Sequence, residues 1–388
     1  MSEGGFGRRE DGSPESGRGF HKGLVLDGRY RLDRPLAEGG MGTVWIGQQI
    51  ALEREVAVKL LRMGTETLRV RMRREALALA AVHHPSVVQV FDYGELEGGW
   101  PYLVMELVRG TPLGQRVRRE GPFEAPAAVQ LMLPLLDGLS AAHGVGIVHR
   151  DIKPENVILS ATPAGVQPKL LDFGIAQVAR EAGEGAKITA DGGFLGTPAY
   201  MAPEQVRGQP VDERADVWGV AVTLYETMTG RAPFGLDDVV VVIRRVLDEP
   251  PPFPRQAVGL DGKLWAILMA AMRKSPVDRT ASASAFREAL AGWLDLHGYP
   301  SSPGAVAGIA QAPVPLSPRA RMAATVSAPG GEQGVGGAGG AGAGGRVAQV
   351  TPRSGTAAVD AKADTEPLAL TEDPASLDAL IRAKLGQS

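Results

Sequence analysis

The chain has no cysteine among its 388 residues. That excludes a disulfide framework, a thiolate metal site and thiol redox chemistry, and it fits a reducing, cytoplasmic location. An excess of one charge is also missing. The 41 basic and 44 acidic side chains leave −3, too little for a global attraction to nucleic acid or to an anionic membrane surface. Long apolar runs are absent as well. The densest, Val239 to Ile243, has five residues, whereas a spanning helix needs about 20, so no membrane span is expected. Residues 1–23 lack the apolar stretch of a secretory signal and read as a disordered leader.

What is present divides the chain. From Tyr299 onward it is rich in Pro, Gly, Ala and Ser, and residues 330–345 hold ten glycines in sixteen positions. Such a segment cannot bury enough apolar surface to offset its ordering entropy. The expected organisation is a leader over 1–23, a folded domain over 24–297, a disordered linker over 298–372 and a short terminal helix over 373–388. The stretch from 299 carries seven basic and seven acidic residues and is not a polybasic anchor. In "DPASLDALIRAKL", Leu377, Leu380, Ile381 and Leu385 share one helical face. That face reads as a frayed end or as a docking helix for a partner or for the folded domain.

The folded domain changes character midway. "RYRLDRPLAEGGMGTVWIGQQI", "REVAVKLLR", "SVVQVFDYGEL" and "WPYLVMELV" have strand patterns, with one helix in "TLRVRMRREALALAAV". From about Pro126 the pattern turns helical, through "PAAVQLMLPLLDGLSAAHG", "ADVWGVAVTLYETMTG", "KLWAILMAAMRK" and "ASAFREALAGWL". This order predicts an α+β, bilobal fold: a small antiparallel-sheet lobe over about 24–108, a mainly helical lobe over 109–297, and a crevice between.

Several stretches carry chemistry. "AEGGMGTV" spaces Gly39 and Gly42 between two strands, where bare backbone can approach a phosphate; a plain glycine hairpin would look the same. Lys59 in "VAVK" interrupts an apolar strand, and a buried ammonium needs a partner, for which Glu75 on the helix is the candidate. "HRDIKPEN" and "LLDFGIA" bring Asp151, Asn156 and Asp172, hard oxygen donors suited to magnesium beside phosphates. Lys153 supplies a point charge, and Asp151 can accept a hydroxyl proton.

Taken in order, the glycine loop, "VAVK", the helix glutamate, "HRDIKPEN", "DFG", "GTPAYMAPE" and "DVW" resemble the eukaryotic-type (Hanks-type) protein kinases over about residues 28–297. "EGGMGTVW" and "GTPAYMAPEQ" are most similar to the bacterial Ser/Thr branch. The resemblance implies an ATP- and Mg2+-dependent protein kinase (Mn2+ as a substitute) acting on protein Ser/Thr hydroxyls and autophosphorylating its activation segment, with a homodimer as one route. The competing reading is a pseudokinase or tail-tethered scaffold that binds nucleotide without transfer.

The resemblance also assigns roles. Gly39 and Gly42 would cover the phosphates, Lys59 would hold the α- and β-phosphates and pair with Glu75 when the enzyme is active, and Lys153 would touch the γ-phosphate. Asp151 would orient the acceptor hydroxyl, and Asn156 and Asp172 would hold the metal. Leu36, Val44 and Ala57 above and Ile158 below would enclose adenine, with Met105 behind it and the backbone of Glu106 and Val108 at its polar edge. Thr197 would bridge Asp151 and Lys153, and Arg150 would pair with a phosphate on Thr189. Phe194, Pro198 and Met201 would form the pocket after the acceptor. Glu204–Arg279 and Asp216 would be internal supports, and Leu79, Val90, His149 and Phe173 a stacked apolar column. One departure is Ala37, where the family's loop usually opens with glycine.

Overall fold

The computed structural model of the protein describes residues 20–39, 42–61, 66–96, 99–163, 165–173 and 197–301. All of them belong to the first of the two units into which the chain divides, 1–312 and 313–388. Most of the expected leader, nearly all of the linker, the terminal helix and Thr189 lie outside the described residues.

The small lobe is an antiparallel sheet of six strands: β1 (Val25–Leu26), β2 (Tyr30–Gly39), β3 (Gly42–Gln49), β4 (Arg54–Leu61), β5 (Val90–Leu96) and β6 (Trp100–Glu106). Their order is β1-β2-β3-β4-β6-β5. Alternation along the strands gives the sheet two apolar faces. Trp45, Val56, Val58, Leu60, Tyr102 and Val104 close one core with Leu26, Tyr30 and Leu32. The register sets Val44 opposite Lys59, Lys59 opposite Leu103, and Ala57 opposite Met105, so these residues line the other face. Phe20, grouped with the leader by its glycine-rich neighbours, instead packs edge-on to Trp100 at 5.5 Å and extends the first core.

Helix α1 (Glu66–Ala80) lies against β5 and buries Met72, Ala76 and Leu79, spaced as one helical face. The large lobe holds α2 (Leu113–Glu120), α3 (Ala125–His143), a single turn α4 (Pro203–Val206), α5 (Arg214–Thr229), α6 (Val239–Asp248), α7 (Gly262–Ala271) and α8 (Ala283–Leu296). A small sheet, β7 (Thr111–Pro112), β8 (Val157–Thr162) and β9 (Gly165–Leu170), stands beside them. Every residue of α5 from Ala215 to Thr229 is buried, and its Trp218 stacks on Phe234 at 5.5 Å. Among the described residues α3 alone is long and apolar enough to cross a membrane, and 72% of that stretch is buried within the lobe.

Two elements differ from their sequence pattern. The run Val239 to Ile243 is β-branched yet forms α6, because Asp238 caps it, its Oδ1 accepting from Val240 N at 2.8 Å and Val241 N at 3.2 Å. Packing of Val242, Ile243 and Val246 then outweighs their strand preference. The segment "SVVQVFDYGEL" enters the sheet only at Val90; Val88 N has already bonded Leu170 O at 3.0 Å, tying the small lobe to β9.

Candidate active site

The loop 149–156 is fixed from beneath by Asp216 in the first turn of α5. Asp216 is buried, and its Oδ2 accepts from His149 N at 2.7 Å and His143 Nε2 at 2.8 Å, while Oδ1 accepts from Arg150 N at 2.7 Å. Gln205 completes the anchor: its Nε2 donates to Arg150 O at 2.8 Å, and its Oε1 accepts from Ala202 N at 3.0 Å. These bonds hold Arg150 at φ 64, a left-handed conformation that a side-chain-bearing residue adopts only when its surroundings enforce it. Helix α5 reaches the loop at Gly219, where a β-carbon would sit 2.9 Å from Ile152 Cβ.

On this base Asp151 is held from two sides. Lys153 Nζ donates to Asp151 Oδ2 at 2.8 Å, and Asn156 Nδ2 donates to Asp151 O at 2.7 Å and Oδ2 at 2.9 Å. The amide orientation of the buried Asn156 is thereby set, leaving its Oδ1 as an acceptor.

Asp172 faces the small lobe. It too is left-handed, at φ 52, and its Oδ1 accepts from Lys59 Nζ at 2.6 Å. Burial by itself pushes the Asp172 carboxyl up, but the Lys59 ammonium, aided by His149 and Lys153, holds it below the ordinary carboxylate range. The Lys59 side chain is only 16% exposed, so it is not on a solvated strand face. The expected Lys59–Glu75 pair is not among the ion pairs of the described residues: Asp172 holds the Lys59 ammonium, and Glu75 is half-buried on α1.

The apolar column expected between the lobes is present as buried residues. Leu79, Val90, His149 and Phe173 are all buried, and the rings of the last two lie 4.5 Å apart. His149 Nδ1 accepts from Asp151 N at 3.3 Å, so its Nε2 donates to Leu171 O at 2.8 Å; the ring is a strut between the loop and the "DFG" strand. Deeper still, Arg279 forks onto Glu204 with bonds of 2.7 and 2.8 Å. Among the tryptophans of the large lobe, Trp218 and Trp293 are buried, whereas Trp265 is half-exposed against Phe253.

The expected nucleotide-pocket residues lie on or beside the small-lobe sheet and on β8. Val44, Ala57, Lys59 and Met105 line the cleft face of the sheet, and Leu36 is exposed on β2 near its rim. Ile158 is buried on β8, beneath Gly110. Glu106 ends β6, with Val108 just beyond, and its carboxylate takes two bonds from Lys169 Nζ, at 2.7 and 2.6 Å. Gly39 pairs with Gly42 at the tip of the β2–β3 hairpin. Gly42 has φ 146, and a β-carbon there would collide with the Leu60 carbonyl, so the close approach of β3 to β4 requires glycine irrespective of any ligand. Ala37 keeps an ordinary φ within β2 and is exposed, which accommodates its β-carbon.

Other expectations fare differently. Thr197 heads the turn Pro198–Tyr200, but among the described residues its hydroxyl bonds neither Asp151 nor Lys153. Pro198 and Met201 are both buried, while Phe194 and Thr189 lie outside the described residues. Two supports went unrecognised in the sequence: Gln205, next to the glutamate of "APEQ", and His143, three residues before Gly146 in "AAHGVG". Neither residue type announces a loop anchor; only the bonds do.

A lysine of the small lobe thus faces two carboxylates and an amide of the large lobe, with the aspartate loop braced from a buried helix. The sequence model of the protein kinase domain family matches residues 30–280, and the chain belongs to that family. Serine/threonine-protein kinase Pkn3 of Myxococcus xanthus is 38% identical over 277 residues, covering 69% of this chain and 50% of its own length. PknB of Mycobacterium tuberculosis is 39% identical over 269 residues, 68% of this chain and 42% of its own. Pkn2 of Myxococcus xanthus is 40% identical over 278 residues, 69% and 33%. The matched region thus spans half or less of these curated relatives. In three dimensions the crystal structure of the Mycobacterium tuberculosis PknI kinase domain matches with a TM-score of 0.55 at 26% identity, over 70% of this chain and 98% of that domain.

Proposed function

We propose that the protein is an ATP-dependent serine/threonine protein kinase, transferring the terminal phosphate of ATP to protein hydroxyls. The observation that carries this reading is Asp151, fixed by Lys153 and Asn156 on a loop braced by Asp216, across the cleft from the Lys59–Asp172 pair. Asp151 orients an acceptor hydroxyl and takes its proton; Lys153 offsets charge on the phosphoryl group between them. Lys59 positions the inner phosphates. The donor set suits a hard cation: Asn156 retains Oδ1, and the depressed Asp172 carboxyl stays ionised at neutral pH. Mg2+, or Mn2+ in its place, would be held by these two residues and would neutralise charge on the phosphates. The adenine ring fits between the Val44–Ala57 face and Ile158, with Met105 behind and the Glu106–Val108 backbone at its edge.

Autophosphorylation on Thr189, read through Arg150, belongs to the same proposal, as do transfer between two copies, docking by the segment 373–388, and the division of 24–297 into two lobes. The test is phosphosite mapping after incubation with MgATP and a threonine-rich acceptor, comparing wild type with Asp151→Asn and Lys59→Met. Phosphate on wild type alone supports the reading. Equal labelling of all three, or of none, removes it.

A further inference from the structure

Between α6 and α7 the chain runs through "DEPPPFPR", residues 248–255, with four prolines in eight positions. Helix α6 ends at Asp248, and Glu249 leaves it extended, at φ −95 and ψ 138. A proline holds its own φ at about −65° and pushes the residue before it out of the helical region. Glu249, Pro250, Pro251 and Phe253 each precede a proline, and every described peptide bond is trans. Residues 250–254 accordingly form neither helix nor strand. The sterics leave them the polyproline II conformation.

Burial follows that conformation. Pro251 and Pro254 are buried, whereas Pro250, Pro252, Phe253 and Arg255 are exposed, Phe253 by 50%. A spacing of three matches the about three residues per turn of polyproline II. One edge of a three-sided rod therefore packs on the large lobe. Two edges stay free: Pro252 with Arg255, and Pro250 with Phe253. Phe253 lies edge-on to the half-exposed Trp265 at 5.3 Å. Beside Pro250 opens a cavity of about 670 Å³, lined also by Pro251, Met269 and Met272. It has room for an inserted ring, to which methionine side chains adapt readily. Among the described residues the carbonyls of Pro250 and Pro252 accept no hydrogen bond. The two ends differ in charge: Asp248 and Arg255 are both exposed, and neither forms an ion pair among the described residues.

We propose that residues 248–255 are a docking ligand for a second protein, one whose groove is lined by aromatic side chains and carries a carboxylate, of the kind that reads proline-rich segments. The two free edges fill the groove, a ring of the partner enters the cavity beside Pro250, and Arg255 meets the carboxylate. Asp248, at the other end, repels that carboxylate and so fixes the direction of docking. The rod is ordered before binding, which lowers the entropy lost on association. It shares no residue with the candidate active site.

The test passes two purified readers of proline-rich segments, an SH3 domain selective for proline–arginine ligands and a WW domain, over the immobilised full chain. Wild type should bind at least one of them, and the free peptide DEPPPFPR should compete. The Pro252→Ala, Arg255→Glu double variant should weaken that binding about tenfold or more at an unchanged melting temperature, because both side chains are exposed. A second proline-rich stretch, "PVPLSPR" at 313–319, supplies the control. Pro315→Ala with Pro318→Ala should leave binding as in wild type. The proposal is overturned if neither domain binds, if the 252/255 variant binds as wild type does, or if binding is lost with the 315/318 variant instead.

Discussion

The large lobe contains two arginine–glutamate pairs in different settings. Arg279–Glu204 lies in its floor, with side chains 0% and 3% exposed, bonded bidentately, and Arg279 also donates to the carbonyls of Arg273 and Arg214. Arg118–Glu155 lies at the cleft rim, 61% and 42% exposed, with one bond of 3.0 Å. The first can lose neither partner without stranding a charge where water cannot reach it. The second can exchange its cation with solvent or a ligand at little cost. The same two side-chain types therefore make a fixed support when buried and an exchangeable contact when exposed.

Breaking the buried pair should have the largest effect. Arg279→Ala is expected to cost about 3–5 kcal/mol of unfolding free energy; a denaturation series giving under about 1 kcal/mol would erase the distinction. Asp216→Asn probes the loop above that floor, and replacing the acceptor of three bonds should cost about 1–3 kcal/mol and lower kcat as well. If stability falls while kcat is kept, Asp216 supports the lobe but not the loop. Gly42→Ala places a β-carbon against the Leu60 carbonyl and should cost about 1 kcal/mol or more, with KM for ATP rising.

A pH experiment sharpens the same contrast at the cleft. The depressed folded pKa of Asp172 contributes stability that is full above its usual value of 3.8 and is lost as pH falls through the lower folded value. Lys59→Met removes the attraction and leaves burial, so the acid-unfolding midpoint should move to higher pH. An unmoved midpoint would mean that the 2.6 Å pair does not persist in solution. The smallest effect belongs to the rim: Arg118→Ala should change stability by no more than about 0.5 kcal/mol in the same denaturation series, and a loss above about 1 kcal/mol would erase the contrast.

The candidate site residues were legible because the proposed phosphoryl transfer restricts their types: Lys59, Asp151, Lys153, Asn156 and Asp172 stand in short runs with fixed spacing, and the fold joins them in the Lys59–Asp172 pair and the Asp151–Lys153–Asn156 group. The two-lobed α+β architecture was legible from the change of hydrophobic period near Pro126. What stayed hidden depends on partners distant in sequence. His143 and Gln205 anchor the loop across 73 and 55 residues, and nothing in their local sequence says so. The α6 valines read as an aliphatic run until the Asp238 cap and their burial are seen. Lys59 meets Asp172 across 113 residues, where the sequence offered Glu75 as its partner.

The most direct test of the account is the rate of phosphate transfer from MgATP to an acceptor peptide by wild type and by Asp151→Asn, which keeps the shape of the side chain but cannot take a proton. The account predicts transfer by wild type and a loss of about 10²–10⁴-fold in kcat for the variant, with an unchanged melting temperature. Equal rates for the two proteins would contradict it.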